Sequence, residues 1–223
     1  MRLPIIAGRL RGRWWLPASR GKLLRILGGT YEPEQTRLFE QLLRPGHTVL
    51  DVGANVGYYT LLASVLVGDA GRVHAFEPEP KNAGFLRRHT SINRRDNVRV
   101  EQAAVSDREG TARFDFGSGS GTGHLADAGA IKVRTLRLDD YCAQHGLAPN
   151  AIKIDVEGAE MSVLHGARET LVRHRPILFL STHGAEVHAA SLAFLRGLGY
   201  GVSPILGGDV EHTTEVLATH GGA

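Results

Sequence analysis

The chain contains a glycine turn of a kind that binds cofactors. An apolar run ending in Asp51 is followed by Gly53 and Gly57, and then by a helical pattern of apolar residues. Glycines let backbone amides approach a ligand closely, and the partly positive N-terminus of the helix attracts anionic groups. A dinucleotide turn would read G-x-G-x-x-G, with a pyrophosphate over the helix end. The wider glycine spacing beside Asp51 indicates instead the zwitterionic tail of S-adenosylmethionine.

A second acid stands where a ribose would lie. The segment Gly71–Pro78 reads as a short strand that ends in Glu77. A carboxylate at that strand tip can accept hydrogen bonds from both ribose hydroxyls of an adenosine. Pro78 cannot continue a strand, so the chain must turn beneath the ribose. Asn82, one turn into the next helix, either reaches the adenosine or faces solvent.

Acids also collect at the end of a third strand. The strand Ala151–Val156 contains Asp155 near its end and is followed by Glu157 and Glu160. Desolvating carboxylates at a buried strand tip is unfavourable unless they are paired or used in function. In an open α/β sheet the carboxyl ends of the strands face the ligand crevice. We therefore expect Asp155 to lie near the transferring methyl group.

A histidine follows the next strand of the same pattern. Methyl transfer from a sulfonium to an alcohol requires a group that takes the alcohol's proton. His183 comes after the strand Pro176–Ser181, and the usual histidine pKa of about 6.5 suits this role. We predict His183 as the base, oriented by Asp155 or Glu157, with no metal. The alternative is a divalent cation held by these three residues, although no dense metal-ligand spacing supports it.

These residues need a sheet that brings the strand ends together. Strands and helices alternate along the chain as in a doubly wound parallel sheet. Further strands are predicted at residues 98–104, 111–116, 131–135, 200–204 and 211–218, and helices at residues 80–93, 136–145, 159–173 and 187–198. The last two strands form a hairpin through Gly207-Gly208-Asp209, which places one antiparallel strand in the sheet.

A glycine-rich segment separates two strands that alternate as a hairpin would. It runs from Gly117 to His124, between the predicted strands 111–116 and 131–135. Such a composition does not hold one conformation without a partner. A mobile lid over the acceptor and an exposed hairpin tip fit it equally well.

These motifs resemble those of the FkbM family of S-adenosylmethionine-dependent methyltransferases. The matching segments are Tyr31–Glu34, Val49–Thr60, Phe76–Pro78, Ala104–Asp107 and, most specifically, Lys153–Ala167. The resemblance implies an α/β, Rossmann-like class I methyltransferase fold, with a mostly parallel seven-stranded sheet, one antiparallel strand and helices on both faces. It also implies O-methylation of a hydroxyl on a sugar, a glycolipid or a polyketide-like natural product.

The resemblance further implies which residues contact the cofactor. The predicted set is Tyr31, Glu32, Asp51, Gly53, Asn55, Gly57, Tyr58, Glu77, Pro78, Asn82, Ala104, Ser106 and Asp155. The glycine turn would hold the methionine end, Glu77 the ribose, and the segment Ala104–Ser106 the adenine edge. Tyr31 and Glu32 would close the site from the N-terminal side. Many relatives carry an acid before the histidine of the fifth strand, whereas this chain has Ser181-Thr182-His183.

The first thirty residues differ from the others in charge. Residues 1–30 carry seven basic residues and no acid, although the net charge of the whole chain is only +3. We predict a basic N-terminal arm or helix at 1–30 and one methyltransferase domain at 31–223. This arm, which contains Trp14 and Trp15, either packs as a helix on the domain or contacts an anionic partner. Such a partner would be a membrane surface, a phosphorylated lipid carrier or nucleic acid.

Other function classes are ranked by the same features. No apolar run is long enough to cross a bilayer, and a single cysteine allows no internal disulfide, so a cytoplasmic protein is predicted. The glycine spacing disfavours a nicotinamide dehydrogenase. No aromatic clamp follows Asp155, so a nucleic-acid methyltransferase is the weaker alternative and no nucleic-acid partner is expected. A non-catalytic methyltransferase-like binding protein is the other alternative.

Overall fold

The computed structural model describes residues 1–18, 21–115, 124–125 and 129–221, with residues 124–125 described by their backbone alone. Nearly all of the glycine-rich segment from Gly117 to His124 lies outside these ranges. The lid and the hairpin tip therefore stay predictions.

The described strands and helices alternate along most of the chain. The strands are β1 (Leu3–Pro4), β2 (Trp14–Trp15), β3 (Thr48–Val52), β4 (Arg72–Phe76), β5 (Val98–Glu101), β6 (Ala104–Val105), β7 (Gly110–Asp115), β8 (His124–Leu125), β9 (Ile131–Leu136), β10 (Ala151–Ile154), β11 (Ile177–Ser181), β12 (Tyr200–Pro204) and β13 (Glu215–His220). The helices are α1 (Leu23–Leu27), α2 (Pro33–Leu42), α3 (Tyr58–Val67), α4 (Pro80–Ile92), α5 (Leu138–His145), α6 (Glu160–Gly166), α7 (Arg168–His174) and α8 (Ala185–Gly197). None of these helices has both the length and the apolar composition that crossing a membrane requires.

Seven strands form the central sheet in the order β12–β13–β11–β10–β3–β4–β5. The five strands from β11 to β5 in that order are parallel, whereas β13 pairs antiparallel with β11 and β12. The predicted mostly parallel sheet with a closing antiparallel hairpin is confirmed. Strand order reverses between β3 and β10, and ligands of open α/β sheets bind beyond the carboxyl ends at such a point.

Alternate side chains of the central strands enter two hydrophobic cores, one on each face of the sheet. Leu50 and Ile152 pack in the core that contains residues of α5 to α8, while Val49 and Ala151 pack in the core with α2 and α3. Helices therefore cover both faces, which explains the continuous apolar runs of these strands. Helix α3 is buried on nearly every side and is correspondingly apolar all round.

Four strands form a second, smaller sheet in the order β6–β9–β7–β8. Its antiparallel pair β7–β9 confirms the predicted hairpin. The single strand predicted at residues 98–104 is wrong, because β5 joins the central sheet and β6 pairs with β9 instead. Ala103, between them, is fully buried, so the chain passes from one sheet to the other through the interior.

The helix predicted at residues 159–173 is divided into α6 and α7. They meet at Ala167, which is fully buried, just after Gly166 packs so closely on the Ser106 carbonyl that a Cβ would overlap it. Packing of Gly166 on the Ser106 carbonyl thus interrupts an otherwise continuous helical pattern. In the last hairpin, the strand predicted at residues 211–218 begins only at Glu215.

The N-terminal segment, residues 1–30, does not carry its tryptophans on a helix. They form strand β2, which pairs antiparallel with β1, and the only described helix in the segment is α1. Trp15 is fully buried and stacks on His89 of α4, with ring centroids 3.7 Å apart. The Asn93 side chain accepts the Trp14 N–H and donates to the Trp14 carbonyl, both at 2.8 Å. These contacts attach the N-terminal segment to helix α4 and its C-terminal end.

Candidate active site

Two adjoining cavities lie at the carboxyl ends of β3, β4 and β10, at the predicted ligand edge. The space within them, including the part open to solvent, is about 560 and 660 Å³. We name them the Glu77 cavity and the Asp51 cavity after one residue that lines each. Gly53, Asn55, Asp155 and Glu157 line both cavities. The two cavities therefore form one crevice.

Glu77 is held rigidly at the wall of its cavity. Its Oε2 accepts the Asn55 N–H at 2.7 Å and its Oε1 accepts the Glu79 N–H at 2.8 Å. Burial raises the pKa of Glu77 to about 7, although these two donors oppose the shift. A hydroxyl that donates to this carboxylate would stabilise its charged form. The position therefore fits the ribose hydroxyls of an adenosine.

The rest of the Glu77 cavity is mostly apolar. Predicted residues Pro78, Asn82 and Ala104 line it, and the Asn82 amide donates to the Glu79 carboxylate at 2.7 Å. Phe114, which the sequence analysis did not select, comes from β7 and closes the same wall. An apolar wall with one amide at its edge suits a flat heterocycle such as adenine.

Ser106 lies apart from this wall. It is buried, its hydroxyl donates to the Asp107 carboxylate at 3.1 Å, and its carbonyl contacts Gly166. The structure does not place Ser106 among the lining residues of either cavity described above. Its observed contacts therefore connect β6 to α6.

Asp51 carries an unusual buried oxygen in the second cavity. Only 2% of the residue is exposed, and its Oδ2 accepts the Thr60 hydroxyl. Its Oδ1 has no hydrogen-bond partner among the described residues. Burial raises the pKa of Asp51, while the Lys153 ammonium opposes that shift. Because an unpaired buried carboxylate oxygen is costly, the site fits an ammonium donor such as that of S-adenosylmethionine.

The glycine turn requires both of its glycines. Gly53 and Gly57 have φ of 78° and 94°, which side chains disfavour. A Cβ at Gly53 would overlap the carbonyl oxygen of Asp155, and one at Gly57 would overlap Leu86. The turn therefore packs directly on the loop after β10 and on helix α4.

Tyrosines form the N-terminal wall of the Asp51 cavity. Tyr31 and Tyr58 line it edge to face, with ring centroids 4.7 Å apart. Lys22, which directly precedes α1, also lines it and donates to the Tyr31 hydroxyl at 3.2 Å. Glu32 stands behind the wall, where it accepts the Tyr59 hydroxyl at 2.7 Å. Tyr31 thus borders the crevice, whereas Glu32 is connected to it through its hydrogen bond with Tyr59.

Lys153 is a buried cation that the sequence analysis did not assign to the site. It is 3% exposed and donates to Asp155 Oδ2 at 3.1 Å. Burial lowers its pKa, but Asp155, Asp51 and Glu32 outweigh burial and raise it overall. Lys153 therefore offsets the negative charge of the Asp51 cavity. A lysine inside a strand usually faces solvent, so its position in the sequence did not indicate a place in the site.

His183 meets three carboxylates at the end of the crevice. Its Nδ1 is 2.7 Å from Glu160 Oε1, and its Nε2 is 3.4 Å from Glu157 Oε2 and 3.9 Å from Asp155 Oδ1. The carboxylate that hydrogen-bonds the ring is therefore Glu160, which is fully buried, and neither Asp155 nor Glu157. With Nδ1 bound to Glu160, Nε2 faces the two acids that line the cavities.

The charges of this cluster depend on one another. The hydrogen bond to Glu160, with attraction from Glu157, raises the pKa of His183 against the effect of burial. Burial would raise the pKa of Asp155, but the Lys153 ammonium holds it below its ordinary value. Glu157 has a raised pKa because of burial, and its backbone has a φ of 55°. Strained backbone of this kind is common where a side chain must point into a site.

The same cluster has the spacing of a cation site. Asp155, Glu157 and His183 each offer one ligand atom, and these atoms lie within 4.8 Å of one another. Two carboxylate oxygens and an imidazole suit magnesium or manganese. The geometry thus allows both alternatives considered from the sequence.

Comparison with known proteins identifies the family of this chain. The model of the methyltransferase FkbM domain matches residues 51–202, which include Asp51, Glu77, Asp155 and His183. The 31-O-demethyl-FK506 methyltransferase FkbM of Streptomyces tacrolimicus is 32% identical, over 80% of this chain and 84% of that protein. The hexuronic acid methyltransferase AglP of Haloferax volcanii is 26% identical, over 63% of this chain and 58% of that protein.

A solved structure shows the same fold. The crystal structure of methyltransferase FkbM from Methylobacillus flagellatus superposes with a TM-score of 0.58 at 19% identity. The match covers 89% of this chain, which spans about half, 54%, of that longer chain. The chain therefore belongs to the FkbM family of S-adenosylmethionine-dependent methyltransferases.

Proposed function

We propose that this protein methylates a hydroxyl oxygen of a sugar, a glycolipid or a polyketide-like natural product, and that it acts in the cytoplasm. The observation that carries the proposal is the His183 cluster, whose Asp155 and Glu157 line a crevice that fits an adenosine and an ammonium. Supporting it, the relatives compared above are named for an O-demethylated FK506 and for a hexuronic acid. Both names describe oxygen-rich small molecules.

The cofactor would lie along the whole crevice. Asp51 and the backbone of Gly53, Asn55 and Gly57 would hold its amino-acid end, with Tyr31 and Tyr58 as the wall and Glu32 behind them. Glu77 would hold the ribose, and the wall of Pro78, Asn82, Ala104 and Phe114 would contact the adenine. When bound, S-adenosylmethionine supplies an activated methyl group, so the protein must align the acceptor and remove one proton.

We assign to His183 the role of accepting the proton of the acceptor hydroxyl. Glu160 fixes Nδ1 as the protonated nitrogen, which leaves the Nε2 lone pair directed to the crevice. When Nε2 takes the proton of the acceptor hydroxyl, Glu157 and Asp155 stabilise the resulting imidazolium. Lys153 keeps Asp155 ionised for this task. Because the pKa of His183 is raised, its neutral form increases with pH, and the reaction should favour alkaline conditions.

The experiment is transfer of a labelled methyl group from S-adenosylmethionine to a panel of sugars, glycolipids and macrolides. The proposal expects label in a product that resists mild alkali, because methyl ethers survive it whereas methyl esters hydrolyse. Calorimetry with S-adenosylhomocysteine checks cofactor binding separately. Label in an alkali-labile ester, or in an amine, would contradict hydroxyl methylation. Absence of S-adenosylhomocysteine binding would contradict the cofactor site.

A further inference from the structure

The N-terminal segment exposes large aliphatic side chains. Ile6 is 67% exposed and Leu24 is 82% exposed. The Ile6 N–H donates to the Leu27 carbonyl at 2.9 Å, and Leu24 and Leu27 lie three residues apart on α1. Residues at that spacing are neighbours on a helix surface. Ile6 and Leu24 therefore belong to one corner of the molecule.

Basic side chains are exposed in the same segment. Arg2, Arg9, Arg11 and Arg25 are exposed, and residues 1–30 contain no acid. Among the residues that the structure describes, none of these four arginines forms an ion pair. A surface that combines exposed aliphatic groups with unpaired cations matches the headgroup and acyl boundary of an anionic bilayer.

The N-terminal segment also borders the crevice. Ile26 of α1 and Lys22, which directly precedes α1, line the Asp51 cavity. The Arg25 guanidinium is 5.9 Å from the ring centroid of Tyr31, which lines the same cavity. Whatever binds the N-terminal segment is therefore held next to the Asp51 cavity of the crevice.

We propose that residues 1–30 dock the mouth of the crevice on an anionic lipid membrane. A hydroxyl presented by a membrane-borne acceptor, such as the sugar of a glycolipid, then enters beside His183. This choice of acceptor rests on the proposed function, whereas the docking itself does not. Nucleic acid fits less well, because Trp15 is buried and Arg2 covers the Trp14 ring at 4.4 Å, so neither ring is free for base stacking.

The experiment is sedimentation of the full chain with vesicles of phosphatidylcholine alone, or of phosphatidylcholine and phosphatidylglycerol in equal parts. We expect binding to the anionic vesicles only, weakening with salt. The double variant Ile6→Asp and Leu24→Asp should bind at least about tenfold more weakly, because it loses insertion and gains repulsion. The matched control is Val172→Asp with Leu206→Asp, which changes two side chains that are 52% and 60% exposed outside the segment. This control should bind like the parent.

Calorimetry with S-adenosylhomocysteine separates this proposal from the function. All variants should keep the parent's affinity for it, which shows that they are folded. Failure of the parent to sediment with anionic vesicles, or equal losses in both double variants, would overturn the docking and leave methyl transfer intact. Vesicle binding without S-adenosylhomocysteine binding would support the docking and overturn the methyltransferase site.

Discussion

The two ends of the crevice are built from different interactions. At the cofactor end, the Glu77 carboxylate is held by two backbone N–H groups. At the reaction end, His183 is held by Glu160 and faces Glu157 and Asp155, so side chains position one another. Backbone donors keep their geometry when a neighbouring side chain changes, whereas a network of titratable groups does not. Substitutions at the cofactor end should therefore change the affinity for S-adenosylhomocysteine. Substitutions at the reaction end should change the rate of methyl transfer.

The largest effect should come from His183→Gln. Removing the group that takes the proton should lower the rate of methyl transfer by about 100- to 10,000-fold, the usual contribution of a general base. Affinity for S-adenosylhomocysteine should stay within about threefold, because His183 does not line the two cavities. Single-turnover transfer and calorimetry measure the two quantities. A variant that keeps most of its rate would move the base to another residue, with Asp155 the first to test.

Asp51→Asn should have the next largest effect, at the cofactor end. It removes the charge of the oxygen that has no partner among the described residues, so the affinity for S-adenosylhomocysteine should fall about 10- to 100-fold. Asp69→Asn is a suitable control, because the Asp69 side chain is 95% exposed away from the crevice. Calorimetry gives both affinities, and thermal unfolding shows whether the variant is folded. Equal affinities for parent and Asp51→Asn would refute the assigned role.

A smaller change should appear when pH is varied. The pKa of Glu77 in the free protein is raised to about 7, and ribose hydroxyls that donate to it favour its ionised form. Binding of S-adenosylhomocysteine should therefore tighten by about tenfold from pH 6 to pH 8 as the carboxyl loses its proton. Glu77→Gln should bind more weakly and show no such slope. If the slope persists in Glu77→Gln, another group is responsible.

Chelation of metal ions should leave the rate of methyl transfer unchanged. The Lys153 ammonium already lies 3.1 Å from Asp155 Oδ2 and compensates this carboxylate, which reduces its attraction for a dication. We expect methyl transfer to be unchanged after exhaustive treatment with EDTA. Loss of activity that magnesium restores would instead establish the cation alternative at Asp155, Glu157 and His183.

The sequence was most informative where one local pattern determines both backbone and chemistry. Gly53 and Gly57 need positive φ, Asp51 lies near the end of the apolar strand β3, and Glu77 directly follows β4, so their place at the crevice could be predicted. Glu160 and Phe114 could not be selected in this way. Glu160 is on α6 and His183 follows β11, so their hydrogen bond joins two separate elements. Phe114 reaches the crevice from β7 of the small sheet. Such contacts depend on packing between segments distant in sequence.

The same limit explains the N-terminal segment. A pair of tryptophans among arginines indicated an arm, but two short strands are not visible as a pattern of alternation. Their conformation is also supported by Asn93, directly after helix α4, which hydrogen-bonds the Trp14 backbone. Propensity alone is a weak guide where tertiary contacts of this kind determine the conformation.

His89 links this segment to the glycine turn, and the link gives the fold a sensitivity to acid. Its Nε2 accepts the Leu16 N–H at 2.9 Å, so its Nδ1 must donate to the Val56 carbonyl at 2.7 Å, and the ring must be neutral. Burial lowers its pKa to about 4. The unfolded chain, with a histidine pKa of about 6.5, takes up this proton first, so stability is lost as pH falls from there towards 4. Acidification should therefore loosen the attachment of the N-terminal segment and the glycine turn in one event.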